Sequence, residues 1–326
     1  MSHPIRVQVV ESEALTPQVR RFVLRAENGL PLPGFMAGAH VRVEVALADG
    51  SSDWRHYSLV RRDATAMPGE SVSQYEIAVR REDDGRGGSA FMHRLRVGDT
   101  LRIEPPKNDF PLDPAAPKVL LVAGGIGITP LLSMAAELRA AGRPVRLVYA
   151  GRSRAQLAYL PELIALLGDA LSIHADDDAG APLDVAALLA GCASDEQVYM
   201  CGPKPMLDAV LAAAQAQGWT PGRVHFELFA TAAPVAGDQP FELVLSQSGA
   251  SYQVPADQSI LDCLIEHGCD PLFDCKRGEC GVCVVPVIEG EVDHRDYVLS
   301  ASEKAASQVI QICVSRARGS RLVLDL

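Results

Sequence analysis

The 326-residue sequence predicts a multi-domain protein: an antiparallel β-barrel, then a doubly wound α/β domain, then a small cysteine-bearing segment. Three observations carry that prediction. The chain is too long for one comfortable hydrophobic core, so two or three domains are expected. Its first 112 residues hold short strands broken by turn-like clusters, whereas alternating strand and helix patterns follow to about residue 230. Six of the eight cysteines fall after position 262, and none precedes position 192.

In the first segment, Val41–Ala46, His56–Val60, Tyr75–Arg80 and Thr100–Glu104 read as strands at a spacing that suits a barrel or sandwich. The stretch Asp109–Pro117 has three prolines in nine residues and marks a boundary. Lys118–Ala123 is then a continuous apolar run, as expected of a parallel strand buried on both faces. A glycine loop follows it, then a helix over Leu131–Ala141 that Gly142 and Pro144 end. Strands are expected at Val145–Ala150, Ser172–Ala175, Gln197–Cys201 and Arg223–Phe229, with helices between them. Thr231–Gln239 is rich in small residues and suits a linker. Beyond it, Phe241–Ser246 and Ser251–Val254 read as a hairpin, and Ser259 opens a helix that Gly268 closes. The spacing of Ser259 and Asp262 allows a start resembling a capping box.

The apolar fraction of 48% and charged fraction of 22% are those of an ordinary globular protein. The net charge of −11 has the wrong sign for a phosphate-backbone binder, so no nucleic-acid partner is expected. By segment the balance is 0 over residues 1–112, −4 over 113–228 and −6 over 239–326. The N-terminus shows no apolar core of a secretory peptide. The longest charge-free run, Val119–Ala136, contains three glycines and a proline and reads as strand, loop and helix rather than a membrane span. A cytoplasmic protein is expected, and clustered cysteines there suggest metal or redox chemistry.

The strongest motif is Cys275-x4-Cys280-x2-Cys283, with Cys313 as a distant fourth. Iron–sulfur clusters need converging thiolates, and a glycine-bearing loop lets backbone N–H groups approach the sulfurs. This spacing is the plant-type 2Fe–2S pattern. Zinc is the competitor, but its structural sites usually bring ligands in two close pairs. Cys192, Cys263 and Cys269 read as packing residues.

Gly124-Gly125-Ile126-Gly127-Ile128-Thr129-Pro130 follows a buried strand and precedes a helix, so its backbone can approach a pyrophosphate. Thr129 is expected as the N-cap and Pro130 at the first helical position. Cys201-Gly202-Pro203 stands at the C-terminal end of a strand, the edge where open α/β sheets bind ligands. Arg55-His56-Tyr57-Ser58 places a cation, an aromatic and a hydroxyl on one strand, with Arg55 and Tyr57 sharing a face. Gly85-Arg86-Gly87-Gly88-Ser89 precedes a helix expected near Ala90 and could hold a phosphate. Each of these, read alone, could equally be a tight turn or a surface charge.

Together and in this order, R-x-Y-S, G-R-G-G-S, G-G-I-G-I-T-P, C-G-P and C-x4-C-x2-C…C resemble the phthalate dioxygenase reductase family, over essentially the whole chain. The family lies within the ferredoxin–NADP reductase superfamily. The resemblance implies an FMN-binding barrel at 1–112, an NAD-binding α/β domain at 113–230, a linker at 231–239 and a β-grasp 2Fe–2S ferredoxin at 240–326. It also implies that Arg55, Tyr57, Ser58, Gly87, Gly88 and Ser89 contact the flavin. Gly124, Gly125, Gly127 and Thr129 would hold the pyrophosphate, and Cys201, Gly202 and Pro203 would lie by the nicotinamide. Phe229, in Glu227-Leu228-Phe229, would cover the flavin until nicotinamide displaces it. Ser58, Cys201 and Phe229 are thus the expected residues at the reacting centre, and Cys275, Cys280, Cys283 and Cys313 the cluster ligands.

The family pattern points to FMN over FAD. Arg152 and Arg154 would permit NADPH, whereas Asp176, Asp177 and Asp178 oppose a 2′-phosphate, and the resemblance tips the expectation to NADH. The expected partner is a Rieske-type oxygenase of aromatic catabolism. Two alternatives stand beside it: reduction of a cytochrome P450 or other mono-oxygenase, and a ferredoxin segment serving as a binding or sensing module. His174, His225 and His267 read as structural.

Overall fold

The computed structural model describes residues 4–62, 69–220, 222–229 and 235–326. The chain falls into two compact units, one ending at Glu227 and one beginning at Leu228.

The first unit opens with six antiparallel strands: β1 (Ile5–Ala14), β2 (Val19–Ala26), β3 (His40–Ala46), β4 (Ser52–Ser58), β5 (Tyr75–Arg80) and β6 (Thr100–Ile103). Their order is β4-β3-β6-β1-β2-β5. Alternation sends Val7, Val9, Phe22, Leu24, Val41 and Val43 into one core, each fully buried and worth about 1.5–3 kcal/mol. Just past β4, the Val60 N–H donates to the Glu76 carbonyl of β5 at 2.8 Å, so the outer strands meet and the barrel nearly closes. The strand expected at His56–Val60 starts four residues earlier and stops at Ser58, where its ladder with β3 ends. Helix α1 (Gly88–Arg94) packs Met92 into the barrel core.

The α/β part follows with β7 (Lys118–Gly124), α2 (Ile128–Ala140), β8 (Val145–Gly151), α3 (Leu160–Leu167), β9 (Leu171–Ala175), α4 (Asp176–Ala179), α5 (Val185–Ala190), β10 (Glu196–Cys201), α6 (Lys204–Ala216) and β11 (Val224–Glu227). All five strands are parallel, in the order β11-β10-β7-β8-β9. The winding therefore reverses between β7 and β10, which opens a crevice at their C-terminal ends. Helix α2 is buried on nearly every face because it lies between this sheet and the barrel. The Ala37 N–H of the barrel donates to the Glu137 carboxylate of α2 at 3.2 Å.

Helix α2 starts three residues earlier than its apolar pattern suggests. A 3₁₀ turn over Gly125–Gly127 winds straight into it, so Gly127, not Thr129, is the N-cap. The Thr129 hydroxyl donates to the Ile126 carbonyl at 3.0 Å, and Pro130 stands third in the helix rather than first. A proline is tolerated there because first-turn N–H groups have no intrahelical acceptor.

The second unit holds β12 (Phe241–Leu245), β13 (Ser251–Val254), α7 (Ile260–Glu266), β14 (Val284–Glu289), β15 (Val292–Asp293), α8 (Ala301–Ala306), β16 (Val309–Gln311), β17 (Arg316–Ala317) and β18 (Arg321–Leu324). The main sheet runs β13-β12-β18-β14-β16, with β12 and β18 parallel and α7 packed on it through Ile260, Leu261 and Leu264. This is the β-grasp expected of a plant-type ferredoxin. Ser259 caps α7, accepting from the Asp262 N–H at 3.0 Å. Asp262 is one methylene too short to complete the box. Its carboxylate takes the Ser259 hydroxyl and the Lys276 ammonium instead, each at 2.8 Å.

Of the segment Thr231–Gln239, residues 231–234 lie outside the described part. Asp238 is pinned within the second unit by ion pairs to Arg295 and Arg316.

Candidate active site

The sheet's switch point brings two of the motifs into contact. Cys201 and Ala123 are paired on adjacent strands, so the C-G-P and glycine loops leave the sheet side by side. A Cβ on Gly127 would stand 2.1 Å from the Cys201 carbonyl oxygen. One on Gly124 would meet the Pro203 ring at 2.6 Å, and one on Gly202 the Gly124 backbone at 3.1 Å. Gly125 has φ +56°, in the left-handed region that favours glycine, and the Tyr149 hydroxyl donates to its carbonyl at 3.1 Å. The glycines therefore permit a backbone interlock that any side chain would break. Cys201 is fully buried, and so is its neighbour on the outer strand, Glu227.

A second cradle forms in the barrel. Arg55 and Tyr57 share a face of β4, whose register runs unbroken to Ser58. A Cβ on Gly88 would lie 2.9 Å from Arg55 Nε, so the R-H-Y-S strand and the G-R-G-G-S loop touch. Gly87 holds φ +83° as the N-cap of α1, with no side chain capping it. One nitrogen of Arg55 pairs with Asp53, while Nη2 is buried and has no hydrogen-bond partner among the described residues. Ser58 Oγ is buried and unpartnered in the same sense. Buried polar atoms without partners are rare, and these two fit a flavin that would supply the missing bonds. Burial pushes the Tyr57 phenol well above its usual range, keeping it neutral. Ser89 departs from expectation in one respect. Its hydroxyl is already engaged with the Glu82 backbone, accepting from the N–H at 3.0 Å.

In the second unit the four expected cysteines gather as two pairs. Cys280 lies close enough to Cys275 for the second thiol to perturb the first, and Cys283 Sγ lies 3.2 Å from Cys313 Sγ. The Cys313 thiol lowers Cys283 to about 7 and is itself driven far up, while burial raises Cys280 to about 11. No group of three His, Cys, Asp or Glu side chains among the described residues is arranged around one metal ion. Two thiol pairs suit two irons, each held by two thiolates, better than a single tetrahedral zinc. The loop is shaped for sulfur: Gly278 and Gly281 have φ +76° and +78°, and the Arg277 N–H donates to Cys275 Sγ at 3.3 Å. Lys276 also sits in the left-handed region, at φ +56°, held there by Asp262.

Sequence reading missed Gln311. It is fully buried two residues before Cys313, and its carboxamide meets Cys283 Sγ at 3.2 Å. A glutamine on a strand carries no motif, so only the fold reveals it. Glu279 was missed as well. It lies in the cysteine loop, pairs with buried Arg277 at 2.8 Å and accepts the Leu228 N–H at 2.9 Å. Phe229, next to Leu228, belongs to the second unit and is partly exposed. Each of the three histidines makes a local contact: His225 stacks on Tyr199 at 4.5 Å, His174 meets the Ala181 carbonyl, and His267 the Cys263 carbonyl.

Comparison with known proteins agrees with this layout. Residues 6–111 match the oxidoreductase FAD-binding domain and residues 243–318 the 2Fe-2S iron-sulfur cluster binding domain. Residues 100–224 match the N-terminal domain of the dimethylamine monooxygenase subunit DmmA-like family. The toluene-4-sulfonate monooxygenase system reductase subunit TsaB1 of Comamonas testosteroni is 44% identical, covering 100% of both chains. The solved phthalate dioxygenase reductase, described as a modular structure for electron transfer from pyridine nucleotides to 2Fe–2S, has TM-score 0.73 and 38% identity. That match covers 99% of this chain and 98% of that one. An intact type IV self-sufficient cytochrome P450 monooxygenase is similar at TM-score 0.72 and 37% identity, over 99% of this chain but only 41% of that one.

Fold and site together define an oxidoreductase with a flavin-binding barrel, a nucleotide-binding α/β domain and a 2Fe–2S domain. The chain belongs to the phthalate dioxygenase reductase family. Several relatives that match over nearly their full length are named as reductases of monooxygenase or dioxygenase systems, so the cytochrome P450 alternative is not favoured.

Proposed function

We propose that this chain is the reductase of a Rieske-type aromatic oxygenase or O-demethylase, carrying electrons from NADH through FMN and a 2Fe–2S cluster to that partner. FMN, once bound, supplies the conversion of an electron pair into single electrons. The protein's part is to hold and orient. Arg55 Nη2, Ser58 and the N–H groups of Gly87, Gly88 and Ser89 grip the flavin, with Tyr57 along it. Gly124, Gly125, Gly127 and the Thr129 backbone hold the pyrophosphate, and Cys201, Gly202 and Pro203 bound the nicotinamide. Phe229 covers the flavin when nicotinamide is absent, and Cys275, Cys280, Cys283 and Cys313 hold the cluster. The flavin domain spans 1–112, the NAD domain 113–230, the linker 231–239 and the ferredoxin 240–326.

The observation that carries this reading is that Arg55 Nη2 and Ser58 Oγ, on one strand, are buried without partners among the described residues, with the Arg55 side chain against Gly88. FMN rather than FAD, NADH rather than NADPH, and a Rieske partner follow from family likeness. A cytoplasmic location suits the sequence, and no described helix is long and apolar enough to cross a membrane. The ferredoxin segment's −6 balance favours a partner with basic surface, so electron delivery should be salt-sensitive.

Absorption spectra of the pure protein before and after anaerobic NADH, with the released flavin identified, test the cofactors. Cys280→Ser tests the route: reduction of an external one-electron protein acceptor collapses while dye reduction by the flavin survives. Retention of both would overturn the route, and reconstitution with a Rieske oxygenase tests the partner.

A further inference from the structure

Ser133 lies in α2, one turn beyond Thr129, and is almost fully buried. A serine inside a helix usually turns its hydroxyl back to the carbonyl four residues earlier. This hydroxyl crosses to the barrel instead. Ser133 Oγ donates to the Leu59 carbonyl at 2.8 Å and accepts from the Arg61 N–H at 2.8 Å. Donating to one residue and accepting from the second residue after it is what a neighbour in a parallel ladder does. One side chain thus replaces a strand for the backbone that follows Ser58, where β4 has left its ladder. The opposite edge is held by Val60, whose N–H donates to the Glu76 carbonyl at 2.8 Å. Arg61 is fixed too: Nη2 donates to the Phe35 carbonyl at 2.9 Å, and the guanidinium lies 4.7 Å over the Phe35 ring.

These bonds join the two motifs at their nearest ends. Ser58 closes the R-H-Y-S strand, and α2 begins in the G-G-I-G-I-T-P loop. We propose that Ser133 is a positioning residue that sets the register between flavin strand and dinucleotide loop, and so the placement of nicotinamide against flavin. This rests on the flavin and nicotinamide reading given above. Ser133 touches neither cofactor in that reading. It acts through Leu59 and Arg61, and a displacement of about 1 Å at a reacting centre can cost about 100-fold in rate.

The test uses the full-length holoprotein with Ser133→Ala and Ser133→Thr. S133A is expected to keep its flavin and its NAD⁺ affinity within about twofold. Its flavin reduction at saturating NADH slows about tenfold, and the nicotinamide–flavin charge-transfer absorbance falls by at least about half. Exchange of the Arg61 amide quickens about tenfold, and S133T, which keeps the hydroxyl, restores all three readouts. An S133A protein with wild-type reduction rate and charge-transfer band overturns the assignment alone. Loss of flavin, or of NAD⁺ affinity in step with rate, makes Ser133 merely structural and overturns it as well. A wild-type flavin that NADH leaves oxidised overturns the parent reading with it.

Discussion

A methyl group on Gly127 would stand 2.1 Å from the carbonyl oxygen of Cys201, well inside van der Waals contact. The glycine loop and the Cys201-Gly202-Pro203 loop are therefore packed backbone to backbone across the switch point of the sheet. Gly127→Ala must push β10 and the start of α2 apart. It should cost about 1–3 kcal/mol of stability, as overpacking does, and raise the KM for NADH at least about tenfold. Flavin and cluster content should hold, because both motifs lie elsewhere. Thermal melts and NADH titrations check this, and an unchanged KM would show that the loop contact is not at the nucleotide site.

Arg55 should be the main electrostatic anchor of the flavin. Its Nη2 is buried and has no hydrogen-bond partner among the described residues, and a Cβ on Gly88 would meet its side chain at 2.9 Å. A charge-assisted hydrogen bond contributes about 1.5–3 kcal/mol, so Arg55→Ala should weaken flavin binding by roughly 10- to 150-fold. Flavin absorbance retained after gel filtration measures the effect. Retention equal to wild type would remove Arg55 from the site.

The three-part architecture was legible because hydrophobic period changes along the chain: alternation to residue 112, continuous apolar runs with helices to about 230, then cysteines. The glycine motifs were legible as loops, but their partners were not. That Gly127 rests on Cys201 and Gly88 on Arg55 depends on strand order and register, which no local pattern encodes. The start of α2 was misjudged for a local reason. Thr129-Pro130 looks like a helix opening, yet the 3₁₀ turn at Gly125–Gly127 had already wound the chain. Gln311, Glu279 and Ser133 escaped because each is an ordinary polar residue whose role comes from a distant neighbour.

Cofactor preference should depend on a clasp between two loops. Arg154 Nε lies 3.8 Å from Asp178, and the Asp177 N–H donates to the Arg152 carbonyl at 3.1 Å. A 2′-phosphate would have to displace Asp178 to reach Arg154. Both side chains are more than half exposed, so the pair is worth about 0.2–1 kcal/mol. Asp178→Asn should accordingly raise kcat/KM for NADPH by about 1.4- to fivefold and leave NADH unaltered. Unchanged NADPH kinetics would separate Arg154 from the ribose.

Acid should loosen the second unit through Asp238. The Arg295 guanidinium beside it, with Arg316 further off, holds its carboxyl down at about 2. The unfolded value is about 3.9, so the unfolded chain binds the proton first as pH falls. The stabilisation is then complete above about pH 4–5 and lost as pH falls through about 2. Asp238→Asn should lower the stability of this domain by about 1–2 kcal/mol at pH 7, because the carboxamide keeps an acceptor for Arg295 but loses the charge. Denaturant midpoints of wild type and variant should converge near pH 2. A gap that persists there would assign the loss to packing rather than charge.

Gln311 should tune the cluster. In the thiol form its carboxamide oxygen accepts from Cys283 Sγ at 3.2 Å. A carboxamide carries a donor and an acceptor end that exchange by a half-turn, so the same buried side chain can offer its NH₂ to a thiolate. Hydrogen bonds to ligand sulfur favour the more negative, reduced cluster and raise its potential. Replacing the side chain by Leu keeps volume and burial but removes the donor. If the bond favours the reduced form by about 1 kcal/mol, the potential of Gln311→Leu falls by about 40 mV, from 59 mV and 1.4 kcal/mol per tenfold. Gln311→Glu brings a negative charge beside the sulfur and should lower it further. Redox titration followed by electron paramagnetic resonance reads both variants, with the flavin potential as internal control. A potential unmoved in the Leu variant would confine Gln311 to packing.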